Sequence, residues 1–173
     1  KALEAKQLVE TWKPDVIIAA DDNVSKFLIM PYYKDAAIPV VFCGLNWTAE
    51  PYGYPYRNTT GMIEVGPIDQ LLNEVLAVVK NPRRGVFLSA DEITQKKEFA
   101  MSRELYKRRG IELTHTAVRT LADWQAGFSA AQENADFIVI GNHAGIKDWN
   151  EALVRRYVYE HGRRFTVAHL EWM

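Results

Sequence analysis

Three short polar stretches hold the residues best equipped for chemistry: Asp21-Asp22-Asn23, Ser89-Ala90-Asp91-Glu92 and Gly141-Asn142-His143-Ala144-Gly145. Adjacent carboxylates such as Asp21 and Asp22 fit three roles: an acid–base pair, caps for a helix starting near Val24, or the counter-charge of a ligand ammonium. Capping is the commonest use of Asp at such a place, and it is compatible with ligand contact. His143 has the chemistry of a general base, yet no Ser or Cys stands in a nucleophile elbow such as GxSxG. Gly141 and Gly145 let backbone approach a ligand closely, but neither GxGxxG nor a Walker lysine is present, so little points to phosphate. His115, His161 and His169 stand singly and read as structural or surface residues. Cys43 is the sole cysteine and follows an apolar strand, so it reads as an inert buried thiol. No Cys/His cluster implies a metal, and no motif implies a cofactor.

The elements that must hold these stretches alternate regularly. Residues 2–12 place Leu3, Leu8, Val9 and Trp12 at helical spacing before Pro14. Val16–Ala20 is a continuous apolar run that turns polar at Asp21. The next helix is expected to put Val24, Phe27, Leu28 and Met30 inward and to end at Pro31. Val40–Phe42 forms a second strand that breaks into Gly44–Asn46. Strands of this kind predict a parallel sheet covered on both faces. Residues 47–60 make a long loop rich in Trp47, Tyr52, Tyr54 and Tyr56, read as a ligand lid, a stacking platform or a packed connection. After a strand near 61–65 and a helix at 68–79, strands at 85–89, 111–118, 136–141 and 165–170 alternate with helices at 93–109, 121–133 and 149–161.

Composition bounds the rest. The chain has 173 residues, 48% apolar and 25% charged, which is ordinary globular usage. The net charge of −1 predicts neither a nucleic-acid nor an anionic-membrane partner. Arg83–Arg84, Lys107–Arg109, Arg155–Arg156 and Arg163–Arg164 lie at helix ends and loop starts and read as solvated. No apolar run is long enough to span a bilayer. Opening inside a helical pattern and stopping after a strand, the chain reads as a fragment.

Several segments together resemble a known family. Trp12-Lys13-Pro14-Asp15-Val16-Ile17-Ile18-Ala19 resembles the "KPDVI" strand of the ABC-transporter substrate-binding proteins of the uncharacterised tryptophan/tyrosine-type group, and Ala37-Ile38-Pro39-Val40-Val41-Phe42 its "IPVVF" strand. Asn58-Thr59-Thr60-Gly61-Met62 looks like the segment that leads into the second lobe. Arg109-Gly110-Ile111-Glu112-Leu113 and Ala135-Asp136-Phe137-Ile138-Val139 are similar to later strands, and Glu171-Trp172-Met173 looks like the start of a further stretch. The resemblance implies an α/β, type I periplasmic-binding-protein-like fold: two Rossmann-like lobes with parallel sheets and helices on both faces. Residues 1–66 would be part of the first lobe, and 67–173 the second lobe with the start of the crossover back. A first βα portion and a C-terminal portion would be absent. The strand-end loops depart from the family's usual ones, so no tryptophan or tyrosine ligand is carried over.

The expected function is extracytoplasmic binding, without catalysis, of a small solute such as an amino acid in the cleft between the lobes. In open parallel sheets ligands bind beyond the carboxyl ends of strands. That rule selects Asp21, Asp22, Asn23, Asn46 and Trp47 from the first lobe, Asp91, Asn142 and His143 from the second, and Glu171 at the crossover. The partner would be an ABC permease for uptake, or a signalling domain such as a histidine kinase if the chain is a sensor. Two alternatives remain: an α/β enzyme using Asp21, Asp22, Glu92 or His143 as acid–base groups, and a purely structural or interaction domain. Location would be periplasmic, with any membrane anchor in missing segments.

Overall fold

The structure, a computed structural model, describes residues 1–168, so Glu171 lies outside the described residues. The chain divides into two compact units, Lys1–Gly66 and Pro67–Met173.

In the first unit, helix α1 (Ala2–Trp12) precedes strand β1 (Ile17–Ala20), and Lys13 closes the helix in a left-handed conformation just ahead of Pro14. Helix α2 (Asp21–Val24) starts directly from β1, runs into a π-helical turn (Ser25–Ile29) and continues as α3 (Met30–Tyr32). Strands β2 (Val40–Asn46) and β3 (Thr59–Glu64) complete a parallel sheet of order β1-β2-β3. Two expectations change here. The helix starts at Asp21 rather than near Val24 and passes through Pro31, and its wider π turn re-phases the faces. Leu28, Ile29, Ser25 and Asp22 point inward, whereas Phe27 and Met30 are exposed. Second, the sheet alternates: Ile17, Ala19, Val40 and Phe42 are buried, while Ile18 (71% exposed) and Met62 (68%) stand on an open face. Here a parallel sheet is covered on one side by the described residues, not on both. The loop after β2, with a short 3-10 turn at Glu50–Tyr52, is a packed connection. Tyr52, Tyr54 and Tyr56 are buried in the core, and Tyr54 stacks on Phe42 at 4.6 Å.

The second unit is built from α4 (Ile68–Val78), β4 (Arg84–Ala90), α5 (Ile93–Arg108), β5 (Glu112–Val118), α6 (Leu121–Asn134), β6 (Phe137–Ile140), α7 (Glu151–His161) and β7 (Phe165–Val167). Its sheet is parallel, of order β5-β4-β6-β7. β6 is buried at every residue, as its unbroken apolar run predicts. One core cluster packs Trp124 and Phe128 of α6 on the sheet, and a second packs Leu72 and Val75 of α4 with Tyr106 of α5. Gly110, at φ 73°, takes the turn from α5 into β5 that a side chain would resist.

Candidate functional site

In each unit the carboxyl ends of the strands bring candidate residues together. In the first unit, β1 hands over to α2 at Asp21, whose φ of 75° is a left-handed conformation that Asp tolerates better than most residues. Its Oδ1 accepts the N–H of Asp22, tying off one of the helix's free amides. Asp22 is fully buried. Its Oδ1 accepts the Tyr52 hydroxyl at 2.7 Å, and its Oδ2 accepts Asn46 Nδ2 at 3.0 Å and the Asn46 N–H at 3.4 Å. One carboxylate therefore pins three separate segments: the start of α2, the end of β2 and the aromatic loop. Burial and the bond to Asp22 push the Tyr52 phenol well above its ordinary pKa, so it stays a donor. Trp47 follows at φ 69°, buried, with its N–H on the Glu64 carbonyl at 2.7 Å. Asp21 and Asn23 are exposed beside this lock.

In the second unit, Asp91 follows β4 and faces two cations. Its Oδ1 lies 2.5 Å from Lys96 Nζ, and its Oδ2 lies 2.7 Å from Arg119 Nε and 2.6 Å from Arg119 Nη2. Hydrogen bonds from Lys96 and then Arg119 hold its carboxyl below the usual range. Asn142 is fixed by backbone and side chain alike. Its N–H donates to Gln95 Oε1 at 2.7 Å, its carbonyl accepts the Ala90 N–H at 3.0 Å, and its Oδ1 accepts the Ala144 N–H at 2.8 Å. A Cβ on Gly141 would run into Gln95 Oε1, so glycine is what lets that amide reach the chain. Gln95 Nε2 in turn donates to Glu98 Oε2 at 3.1 Å, and burial raises the Glu98 carboxyl to about 7. His143 stacks on Trp149 at 4.6 Å, and burial lowers its pKa, so the ring is neutral at pH 7.

A Ser–His pair absent from the sequence candidates also emerges: Ser89 Oγ lies 2.9 Å from His115 Nε2. The Ser89 hydroxyl also reaches the Ala90 carbonyl at 3.2 Å, so its single proton has two acceptors within range. No group of His, Cys, Asp or Glu able to hold a metal occurs among the described residues. Cys43 is half-buried rather than buried.

Of the sequence candidates, Asp22 and Asn46 meet directly, and Asp91 and Asn142 sit on neighbouring strand ends. Sequence reasoning missed Tyr52, Gln95, Lys96 and Arg119. Tyr52 lies 30 positions from Asp22 and Arg119 lies 28 from Asp91, so no local spacing marks them. The amides of Asn46 and Asn58 in the two glycosylation-like tripeptides are engaged, Asn58 Nδ2 donating to the Tyr33 and Ile38 carbonyls.

No protein-family model matches the chain, and no curated protein does. Solved structures do match. The ABC domain from Streptococcus pneumonia in complex with L-Trp aligns with 99% of this chain and 58% of its own length, at TM-score 0.71 and 17% identity. A ligand-free, open substrate binding protein with adhesive properties from Clostridium difficile aligns over 95% and 56%, at TM-score 0.59 and 16% identity. An extracellular ligand-binding receptor from Rhodopseudomonas palustris HaA2 aligns over 96% and 46%, at TM-score 0.61 and 19% identity. The fold is type I periplasmic-binding-protein-like. The chain spans about half the length of these structures, and at such identities the likeness shows the fold alone. No helix among the described residues is long and apolar enough to cross a membrane.

Proposed function

We propose that this chain holds a small polar or aromatic solute, without chemical turnover, on the strand-end loops of its two units. It would do so as part of an extracytoplasmic solute-binding protein that serves ABC-type uptake, with a permease as downstream partner. On this reading residues 1–66 belong to one lobe and 67–173 to the other. Asp21, Asn23, Asn46, Trp47, Asp91, Asn142 and His143 border the ligand, and Glu171 joins them from outside the described residues. Asp22 acts through Asn46 and Tyr52.

The observation that carries the proposal is the buried Asp22–Asn46–Tyr52 lock, which fixes three loops before any ligand arrives. Loops held in advance spare a ligand the cost of ordering them, which is what a binding site requires.

A thermal-shift screen against amino acids, nucleosides, sugars and short organic acids tests it, with aromatic amino acids first because of the L-Trp held by the Streptococcus structure. A ligand at about 100 times its Kd stabilises by about 2.7 kcal/mol, which for this size raises Tm by roughly 5–10 °C. One chemical class giving such shifts, unchanged after incubation, is the expected result. No shift from any class, or conversion of the compound, overturns the proposal.

A further inference from the structure

The first three turns of α5 bury polar residues where a helix packed on a sheet ordinarily buries apolar ones. Gln95, Glu98 and Ser102 lie three and four positions apart, so they share one face, and all are buried. A buried polar side chain costs free energy unless it is bonded, and an apolar residue would fill the same space. What Gln95 does there needs a carboxamide. Its Oε1 accepts the Asn142 N–H at 2.7 Å, and its Nε2 donates to Glu98 Oε2 at 3.1 Å. Asn142 requires such an acceptor, because the ladders that pair β6 with β4 and with β7 end before it, at Ile140 and Val139.

The glycines of the loop after β6 fit the same arrangement. A Cβ on Gly141 would collide with Gln95 Oε1, and one on Gly145, at φ 107°, would collide with Glu92 Oε1. Glu92 and Gln95 are three positions apart, so side chains from one end of α5 fill the room that both glycines leave. In the sequence that room reads as space for a ligand. In the fold it admits the helix. The clamp decides how Asn142 is presented. Asn142 Oδ1 accepts the Ala144 N–H at 2.8 Å, while its Nδ2 has no partner among the described residues and is reached by solvent. The side chain therefore meets its surroundings with donors only.

We infer that Gln95 is a positioning residue for solute recognition: it holds the loop from behind so that Asn142 offers its NH2 group to an acceptor oxygen of the solute, a carboxylate, carbonyl or hydroxyl. The inference rests on the solute-binding reading and adds the kind of atom that this loop selects. An ammonium group finds no acceptor at the Asn142 side chain, because Oδ1 is spent.

Two readouts test it: hydrogen exchange of the loop amides in the solute-free chain, and calorimetric titration with each of the twenty amino acids. Gln95→Met keeps the length of the side chain and removes both bonds. It is expected to speed exchange at Asn142 and Ala144 by about tenfold or more, with Phe137–Ile140 unchanged, and to weaken amino-acid binding by about tenfold. The paired swap Gln95→Glu with Glu98→Gln rebuilds both bonds, since Glu accepts the Asn142 N–H and the new Gln donates to it. It is expected to restore exchange and binding to within about threefold of the parent chain. Asn142→Asp keeps the acceptor for Ala144 and turns the donor into a charged acceptor. It is expected to leave the loop exchange unchanged and to weaken binding by about a hundredfold. Unchanged loop exchange in Gln95→Met, or binding equal to that of the parent chain, overturns the inference. So does a binding loss that the swap fails to restore, which would make Gln95 a packing residue only. A parent chain that binds none of the twenty amino acids fails the solute reading itself, and that failure shows before any variant is compared.

Discussion

Asp22 carries a buried carboxylate that meets three donors: the Tyr52 hydroxyl, the Asn46 amide and the Asn46 N–H. A carboxylate accepts from all three, whereas an asparagine of the same shape must turn an NH2 toward at least one donor. Asp22→Asn is therefore expected to cost about 2–3 kcal/mol, read as a fall in Tm of several degrees. Tyr52→Phe is expected to cost about 1–2 kcal/mol, and the double variant less than the sum, because both remove the same bond. A double-mutant cycle in urea checks this, and simple additivity would show that the lock does not act as a unit. Glu98 gives the opposite kind of residue effect. Burial raises its carboxyl to about 7, so between the ordinary carboxylate range and pH 7 the folded chain holds a proton that the unfolded chain releases. Stability from this group is present at low pH and lost as pH rises toward 7. Glu98→Gln is expected to be more stable than the parent above pH 7 by roughly 1–3 kcal/mol and to flatten this slope. A pH series of denaturation midpoints reads it, and an unchanged slope would contradict the assignment.

At the scale of elements, what the sequence makes legible is periodicity, and what it hides is phase. The alternation of strands and helices, the stop at Gly110 and the buried β6 all follow from apolar runs and turn residues. The π turn at Ser25–Ile29 has no such signature. It shifts the inward face of one helix so that Ser25 and Asp22 turn toward the core while Phe27 turns to solvent. The tyrosine-rich loop has the composition of a lid, and only its contacts with Phe42 and Asp22 identify it as core. Candidate site residues were legible where strand ends announce them, as at Asp21–Asn23 and Asn142. Their partners were not, because bonds such as Asp91–Arg119 close across strands. The open face of the first sheet is also a matter of phase, since Val16–Ala20 reads as uniformly apolar while alternate residues have opposite fates. Ile17→Ala is expected to cost about 2–4 kcal/mol by leaving a cavity under β1. Ile18→Thr, one residue on, is expected to stay within about 0.5 kcal/mol. Comparable losses at both positions in chemical denaturation would show that the outer face is covered too.

The whole molecule is two compact units of unequal means. In the second unit two core clusters line opposite faces of a sheet whose inner strands, β4 and β6, are paired on both sides. In the first, one core cluster serves a sheet with a single inner strand, β2, and an exposed β3. Apolar burial supplies most of the favourable free energy of folding, and a sheet covered on one face collects about half of what the same strands could. Local opening should therefore come first in residues 1–66, the part that carries the Asp22 lock, while β4 and β6 open only with the unit that contains them. Native-state hydrogen exchange followed by mass spectrometry is expected to find the amides of Phe137–Ile140 at least about a hundredfold better protected than those of Thr59–Glu64, a gap of about 2.7 kcal/mol. Equal protection would mean that the two units open as one. If the gap is seen, addition of a bound solute should raise protection in both units, because both lend it loops and a ligand opposes every opening that releases it. Protection gained at Asn46 and Trp47 would then report the ligand loops in the intact chain, independently of any change in Tm.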